Sequence, residues 1–134
     1  MKKILFIEDN PYMKLDVLFS WLKFKKINFE YEIVGSVTEA KRYLHNKNNK
    51  VDLVVTDLGL PIFEGEMVKN LLAGMDIVFD MDEFNTEVPV IINSTTFVPN
   101  FDAAKEEYDE RSQLLYKVDS IMDMKEWLVD FLMS

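Results

Sequence analysis

Cysteine is missing from the sequence, which excludes disulfides and thiolate metal sites. Histidine occurs once, as His45 in the polar stretch HNKNNK, and reads as a solvated surface residue beside a turn rather than as a ligand. Glycine and proline number only four each, and no Gly-rich phosphate loop is among them, so nucleotide binding of that kind is not expected. Basic residues are also short, with 15 against 24 acids and a net charge of −9. With no Lys/Arg-rich arm to offset that balance, nucleic-acid backbones are repelled and no nucleic-acid partner is expected. No apolar run approaches a membrane span, and the opening MKKILFIEDN meets acids too early for a signal peptide. No membrane association and a cytoplasmic location are therefore the expectation.

Apolar residues make up 49% of 134, which suits one folded core and argues against disorder. Residues 1–134 read as a single domain with no output domain. The chain is organised around VDLVVTDLGLPIFEG, positions 51–65. Val51, Leu53, Val54 and Val55 form a short β-branched run of the kind a buried parallel strand shows. Asp57 stands at its carboxyl end, and Pro61 and Gly65 punctuate the loop beyond.

Other strand candidates surround it. Lys3 to Ile7 is an apolar run followed directly by Glu8 and Asp9, with Asn10 as N-cap and Pro11 at the first helical position. Tyr12, Leu15, Leu18, Phe19 and Leu22 then recur at helical spacing. Phe29 to Val34 is a weaker, more polar strand suited to an edge. Ser36 and Glu39 form a capping box for a helix carrying Val37, Ala40, Tyr43 and Leu44.

A further helix is expected from about Glu66, with Met67, Val68, Leu71, Leu72 and Met75 on one side; it either ends at Gly74 or runs on or restarts beyond it. Ile77, Val78, Met81 and Phe84 keep the same period. The acids Asp76, Asp80, Asp82, Glu83 and Glu87 read as a solvated face, since the segment lacks the spacing of a calcium loop. Val88 to Ile92 is a fourth strand, with Asn93, Ser94, Thr95 and Thr96 after it. Asn100 caps a helix carrying Phe101, Ala104 and Tyr108. Leu114 to Tyr116 is a fifth strand closed by Lys117. Ser120 and Asp123 form a second capping box, for a helix whose face holds Ile121, Met124, Leu128, Phe131 and Leu132. Met122, Trp127, Val129 and Met133 are apolar surplus to that face.

Five strands alternating with five helices specify an α/β fold, a flavodoxin-like (βα)5 open parallel sheet with helices on both faces. Right-handed crossovers and the common arrangement give the strand order 2-1-3-4-5. Ligands in such sheets bind beyond the carboxyl ends of the strands, at the switch point between strands 1 and 3. Glu8, Asp9, Asp57, Ser94 and Lys117 converge there. Three carboxylates a strand spacing apart, about 5 Å, repel unless a cation joins them. All-oxygen ligation with room for water suits Mg²⁺. A carboxylate beside such an ion can attack phosphorus and form an acyl phosphate. A hydroxyl and an ammonium from neighbouring strands then supply a hydrogen bond and a counter-charge.

These motifs resemble the receiver domain of bacterial two-component response regulators over essentially the whole chain. The matching elements are the acidic pair in LFIEDNP, the segment DLVVTDLGLPIFEG, the hydroxyl after PVII and the lysine after LLY. The D-L-x-L-P-x-x-x-G spacing is the most specific of them. The resemblance implies a stand-alone response regulator in which Asp57 is the phospho-acceptor. Its donor would be a phosphohistidine on a histidine kinase or phosphotransfer protein. It implies Mg²⁺ held by Asp9, Asp57, the Gly59 backbone carbonyl and, largely through water, Glu8. Ser94 would bind the phosphoryl group, Thr95 would border the approach of attacking water, and Lys117 would pair with a phosphoryl oxygen. Output would pass by contact to an unknown downstream protein. A homodimer across the fourth helix, fifth strand and fifth helix is compatible with it. It implies no enzyme beyond assistance to its own phosphorylation and dephosphorylation.

Three departures bear on the switch. Val118 stands where the family usually has a proline after the lysine, often with a cis bond. A cis bond before a non-proline costs about 2.5–4 kcal/mol, which favours a trans bond and a differently aimed Lys117. Leu114 occupies the switch-aromatic position, with Tyr116 two residues on along the same strand face. Glu110, Arg111 and Ser112 replace the usual Gly-Ala turn. The alternative reading is a pseudo-receiver, an interaction module not controlled by phosphorylation. A haloacid-dehalogenase-type hydrolase would need a second Asp two residues after Asp57, where Gly59 stands.

Overall fold

The computed structural model describes residues 1–84 and 87–134, with all their side chains except those of residues 11–14. Its elements are β1 (Lys3–Ile7), α1 (Pro11–Phe24), β2 (Glu30–Val34), α2 (Val37–His45), β3 (Leu53–Asp57), α3 (Ala73–Glu83), β4 (Val90–Asn93), α4 (Phe101–Glu110), β5 (Leu115–Val118) and α5 (Lys125–Met133). All strand pairs are parallel, in the order β2-β1-β3-β4-β5. The α/β fold class and the strand order expected from the sequence are both present.

Period-two alternation along the strands builds two cores from one sheet. Leu5, Ile7, Val54, Val90, Ile92 and Leu115 face α2, α3 and α4. Ile4, Phe6, Leu53, Val55 and Ile91 face the other way, against Leu15, Leu18 and Leu22 of α1 and Leu128 of α5. Both faces of the central strands are covered, which is why their sequences are continuous apolar runs. β2 lies at the edge, and its Glu30, Tyr31 and Glu32 are exposed. Tyr12, assigned by spacing to the apolar face of α1, has its side chain outside the described residues.

Register fixes the level of the site. Ile7 is opposite Thr56, so Glu8 and Asp57 leave their strands side by side. Asp57 is in turn opposite Asn93, and Asn93 opposite Val118.

Several expectations are corrected. The helix expected from Glu66 begins at Ala73, and Gly74 lies in its first turn rather than at its end. Residues 61–72 instead fold back on the end of β3, with Leu60 and Asn70 exchanging backbone hydrogen bonds of 3.1 and 2.8 Å. Met67, Val68 and Leu71 are 95%, 78% and 79% exposed, so their helical spacing marks no buried face. Asn10 and Asn100 occupy N-cap positions without side-chain capping bonds, and Asn100 is left-handed with φ 65°. The Ser120–Asp123 capping box is present, but it opens a 3-10 turn, Ile121–Met124, ahead of α5. β5 extends through Lys117 and Val118 and begins after Leu114, while β4 begins at Val90 and β3 at Leu53. Met122, Trp127 and Val129 pack against the second core, which leaves Met133 as the exposed part of the apolar surplus.

Candidate functional site

The carboxyl ends of β1 and β3 carry an acidic cluster. Carboxylate oxygens of Glu8, Asp9 and Asp57 lie within 4.8 Å of one another. Glu8 is buried, and its Oε1 accepts a hydrogen bond from the Asn10 amide at 3.0 Å. This bond turns the chain from β1 into α1 and fixes the carboxylate at the same time. Asp57 ends β3, and the first turn of α3 packs directly behind it. The Gly74 amide donates to the Leu58 carbonyl at 2.8 Å, an approach that only a residue without Cβ permits.

Asp9 holds the least satisfied group. Its Oδ1 is buried with no hydrogen-bond partner, although buried polar atoms are nearly always paired. A cation with open oxygen positions suits such an atom, and three acidic ligands on one side suit a hard divalent ion. The residues present therefore fit the divalent ion that the sequence leads one to expect.

The other Asp9 oxygen has a partner that sequence reasoning did not find. Lys69 Nζ forms an ion pair with Asp9 Oδ2 at 2.8 Å. The hydrogen bond to Asp9 raises the Lys69 pKa above its ordinary value, with the charges of Asp9, Asp57 and Glu8 adding to it against an opposing desolvation. Spacing assigned Lys69 to a helix, yet it is brought to the site by the Leu60–Asn70 bridge beside it. One signal was available. Asn70 is a turn-former, and its Oδ1 accepts from the Leu72 amide at 3.0 Å just before α3 begins.

Across the cluster opens a cavity of about 770 Å³, lined by Asp57, Gly59, Asn93, Ser94, Thr95 and Thr96 and by the apolar Leu71, Leu72 and Phe97. Ser94 and Thr95 thus share a wall with Asp57, as expected. The Ser94 hydroxyl is engaged with Thr96 Oγ1 at 2.9 Å and accepts from the Thr96 amide at 3.1 Å. Lys117 is turned aside, the outcome expected from a trans bond before Val118. Its Nζ donates to Asp119 Oδ1 at 3.2 Å, and the side chain lines a neighbouring cavity with Thr95, Thr96 and Phe97. No cis peptide occurs among the described residues, so the bond before Val118 is trans. Leu114 is half-buried, while Tyr116 is exposed with Lys105 Nζ 4.8 Å from its ring centre. His45 is on the surface, as expected, where Nε2 meets Asp80 Oδ2 at 2.8 Å.

No protein-family model matches the sequence, and comparison with curated proteins finds no relative. Solved structures do match. A CheY-like response regulator receiver domain protein from Methanospirillum hungatei has 17% identity and a TM-score of 0.67, covering 98% of this chain and 94% of its own. The Mn²⁺-bound response regulator Rcp1 has 18% identity and a TM-score of 0.66, covering 98% and 91%. The non-phosphorylated HemR receiver domain of Leptospira biflexa has 20% identity and a TM-score of 0.61, covering 100% and 95%. The chain thus has the fold of response-regulator receiver domains from end to end. No helix among the described residues is long and apolar enough to cross a membrane.

Proposed function

We propose that the protein is a phosphorylatable receiver that relays a signal through protein contacts. In this reading an Asp57 carboxylate oxygen attacks the phosphorus of a phosphohistidine on a histidine kinase or phosphotransfer protein. An O–P bond forms, the N–P bond breaks, and the departing imidazole takes up a proton. Glu8, Asp9, Asp57 and the Gly59 carbonyl would hold Mg²⁺, which when bound would supply positive charge against the phosphoryl oxygens. Ser94 turns its hydroxyl from Thr96 toward the phosphoryl group, Thr95 flanks the path of water, and Lys117 leaves Asp119 to pair with a phosphoryl oxygen. The protein does not turn over outside substrates; it assists its own phosphorylation and dephosphorylation at most.

The observation that carries this reading is the clustering of the Glu8, Asp9 and Asp57 oxygens within 4.8 Å, with a buried Asp9 oxygen left unpartnered. Intact mass after incubation with acetyl phosphate and Mg²⁺ tests it. One phosphoryl group is expected, lost with Asp57→Asn and with EDTA; an unmodified protein would overturn the reading.

A second reading, the pseudo-receiver, is favoured by the two lysines. Lys69 occupies Asp9, and Lys117 is turned to Asp119. It predicts an unmodified mass in the same experiment. Under either reading a second copy is proposed to pack on the face of α4, β5 and α5, where Tyr116 is exposed. Sedimentation with and without a phosphoryl mimic measures this, and a monomer in both would count against it.

A further inference from the structure

Lys69 reaches the acidic cluster from the exposed part of the 61–72 segment, beyond the Pro61 and Ile62 carbonyls that accept hydrogen bonds from the Val37 and Thr38 amides. Met67, Val68 and Leu71, its apolar neighbours, face solvent, and the Leu60–Asn70 bridge is the backbone tie beside it. Its ammonium pairs with the same carboxylate whose second oxygen is buried and unpartnered. The Asp9 side chain is mostly covered, whereas half of the Lys69 side chain stays in water, so the lysine can leave more readily than the acid.

We propose that Lys69 is a resident counter-cation of the cluster: it opposes divalent-ion binding there and couples ion occupancy to release of residues 61–72 from the end of β3. This rests on the reading of Glu8, Asp9 and Asp57 as a divalent-cation site. The ammonium lowers the negative charge that attracts the ion and repels the ion directly, and both effects act in one direction. Once Asp9 turns to an ion, Lys69 loses its partner and the 61–72 segment loses its side-chain anchor at the site. The exposed run Met67, Val68 and Leu71 moves with it. The device thus links the cluster to an apolar surface outside the sheet edge.

The test is calorimetric titration of the full chain with Mg²⁺, comparing wild type with Lys69→Gln and Lys69→Arg, with amide exchange of residues 61–72 followed in parallel. Lys69→Gln is expected to bind Mg²⁺ roughly two- to fivefold more tightly, the range of a half-exposed ion pair. Lys69→Arg, which keeps the charge, is expected to stay near wild type. Mg²⁺ should speed exchange in 61–72 of the wild type and leave that of Lys69→Gln unchanged. Equal or weaker affinity in Lys69→Gln would overturn the inference while leaving the cation site standing. Absence of binding in all three proteins would overturn the cation site itself, and the inference with it.

Discussion

Gly74 stands where α3 meets the end of β3, and the fit there is set by backbone on both sides. A Cβ at this position would lie 2.4 Å from the Asp57 carbonyl oxygen and 2.9 Å from the Leu58 Cα. Neither atom can swing aside as a side-chain tip would. Alanine would gain about 1 kcal/mol of helix propensity, but overpacking of this kind costs roughly 1–3 kcal/mol and occasionally more. Gly74→Ala is therefore expected to lower the urea midpoint. Gly59→Ala, whose nearest contact would be an ordinary 4.0 Å, should stay within about 0.5 kcal/mol of wild type. Equal losses at the two positions would show that the α3–β3 contact is looser than described. Tyr108 makes a different case. Its hydroxyl donates to the Val78 carbonyl at 2.7 Å in the buried space between α4 and α3, and burial pushes its pKa well above the ordinary value. Above about pH 10 the unfolded phenol sheds its proton while the folded one keeps it. Stability from this group is thus whole below that pH and is lost as pH rises toward the folded value. Tyr108→Phe should remove the last tyrosine to ionise in an alkaline absorbance titration and flatten the fall of stability above about pH 10. A last tyrosine still present in the variant would assign the effect to another ring.

The segment between β3 and α3 separates what sequence discloses from what it hides. The strands were legible because burial on both faces leaves continuous apolar runs such as KILFI, LVV and PVII, and the crossover rules then fix their order. Glu8, Asp9, Asp57 and Ser94 followed from that order, since each stands at the end of a strand or within two residues beyond it. Residues 66–72 misled because Met67, Val68, Leu71 and Leu72 repeat at helical spacing while lying outside the core. Periodicity reports a face only when something covers it. The true start of α3 depends on Gly74 meeting Asp57, a contact between distant backbone atoms that no local pattern encodes. Lys69 was hidden for the same reason, because its partner is 60 positions away across a loop. Lys117 lies within β5 rather than just after it, and its aim depends on Asp119 and on the trans bond to Val118. Beyond Pro61 and Ile62, whose carbonyls accept from the Val37 and Thr38 amides, the segment is held by the Leu60–Asn70 bridge, short turn bonds and one half-exposed ion pair. A stretch so held opens at low free energy. Limited proteolysis with chymotrypsin is expected to cut first after Phe63, Met67 or Leu71, well before sites within α3. First cleavage inside α3 or α4 would show that the segment is better anchored than its contacts imply.

Folding this chain gathers three carboxylates into one corner of a molecule that already carries a net charge of −9. Lys69 pairs with Asp9, one of the three. The native state therefore stores repulsion that the unfolded chain, with its acids dispersed, does not. A divalent ion taken up by the folded cluster offsets that repulsion and has no comparable site in the unfolded chain, so it must raise stability by mass action. At 100 times its dissociation constant, Mg²⁺ should contribute about 2.7 kcal/mol. For a domain of this length that corresponds to a rise in melting temperature of about 8–13 °C, at about 3–5 °C per kcal/mol. Screening alone would also relieve repulsion, and it acts on the whole acidic surface rather than on one corner. A thermal titration with Mg²⁺ against NaCl of matched ionic strength separates the two. Site binding predicts a rise that grows logarithmically with Mg²⁺, reverses with EDTA and exceeds that in NaCl. Coincident curves in the two salts would mean that the cluster is an ordinary part of an acidic surface.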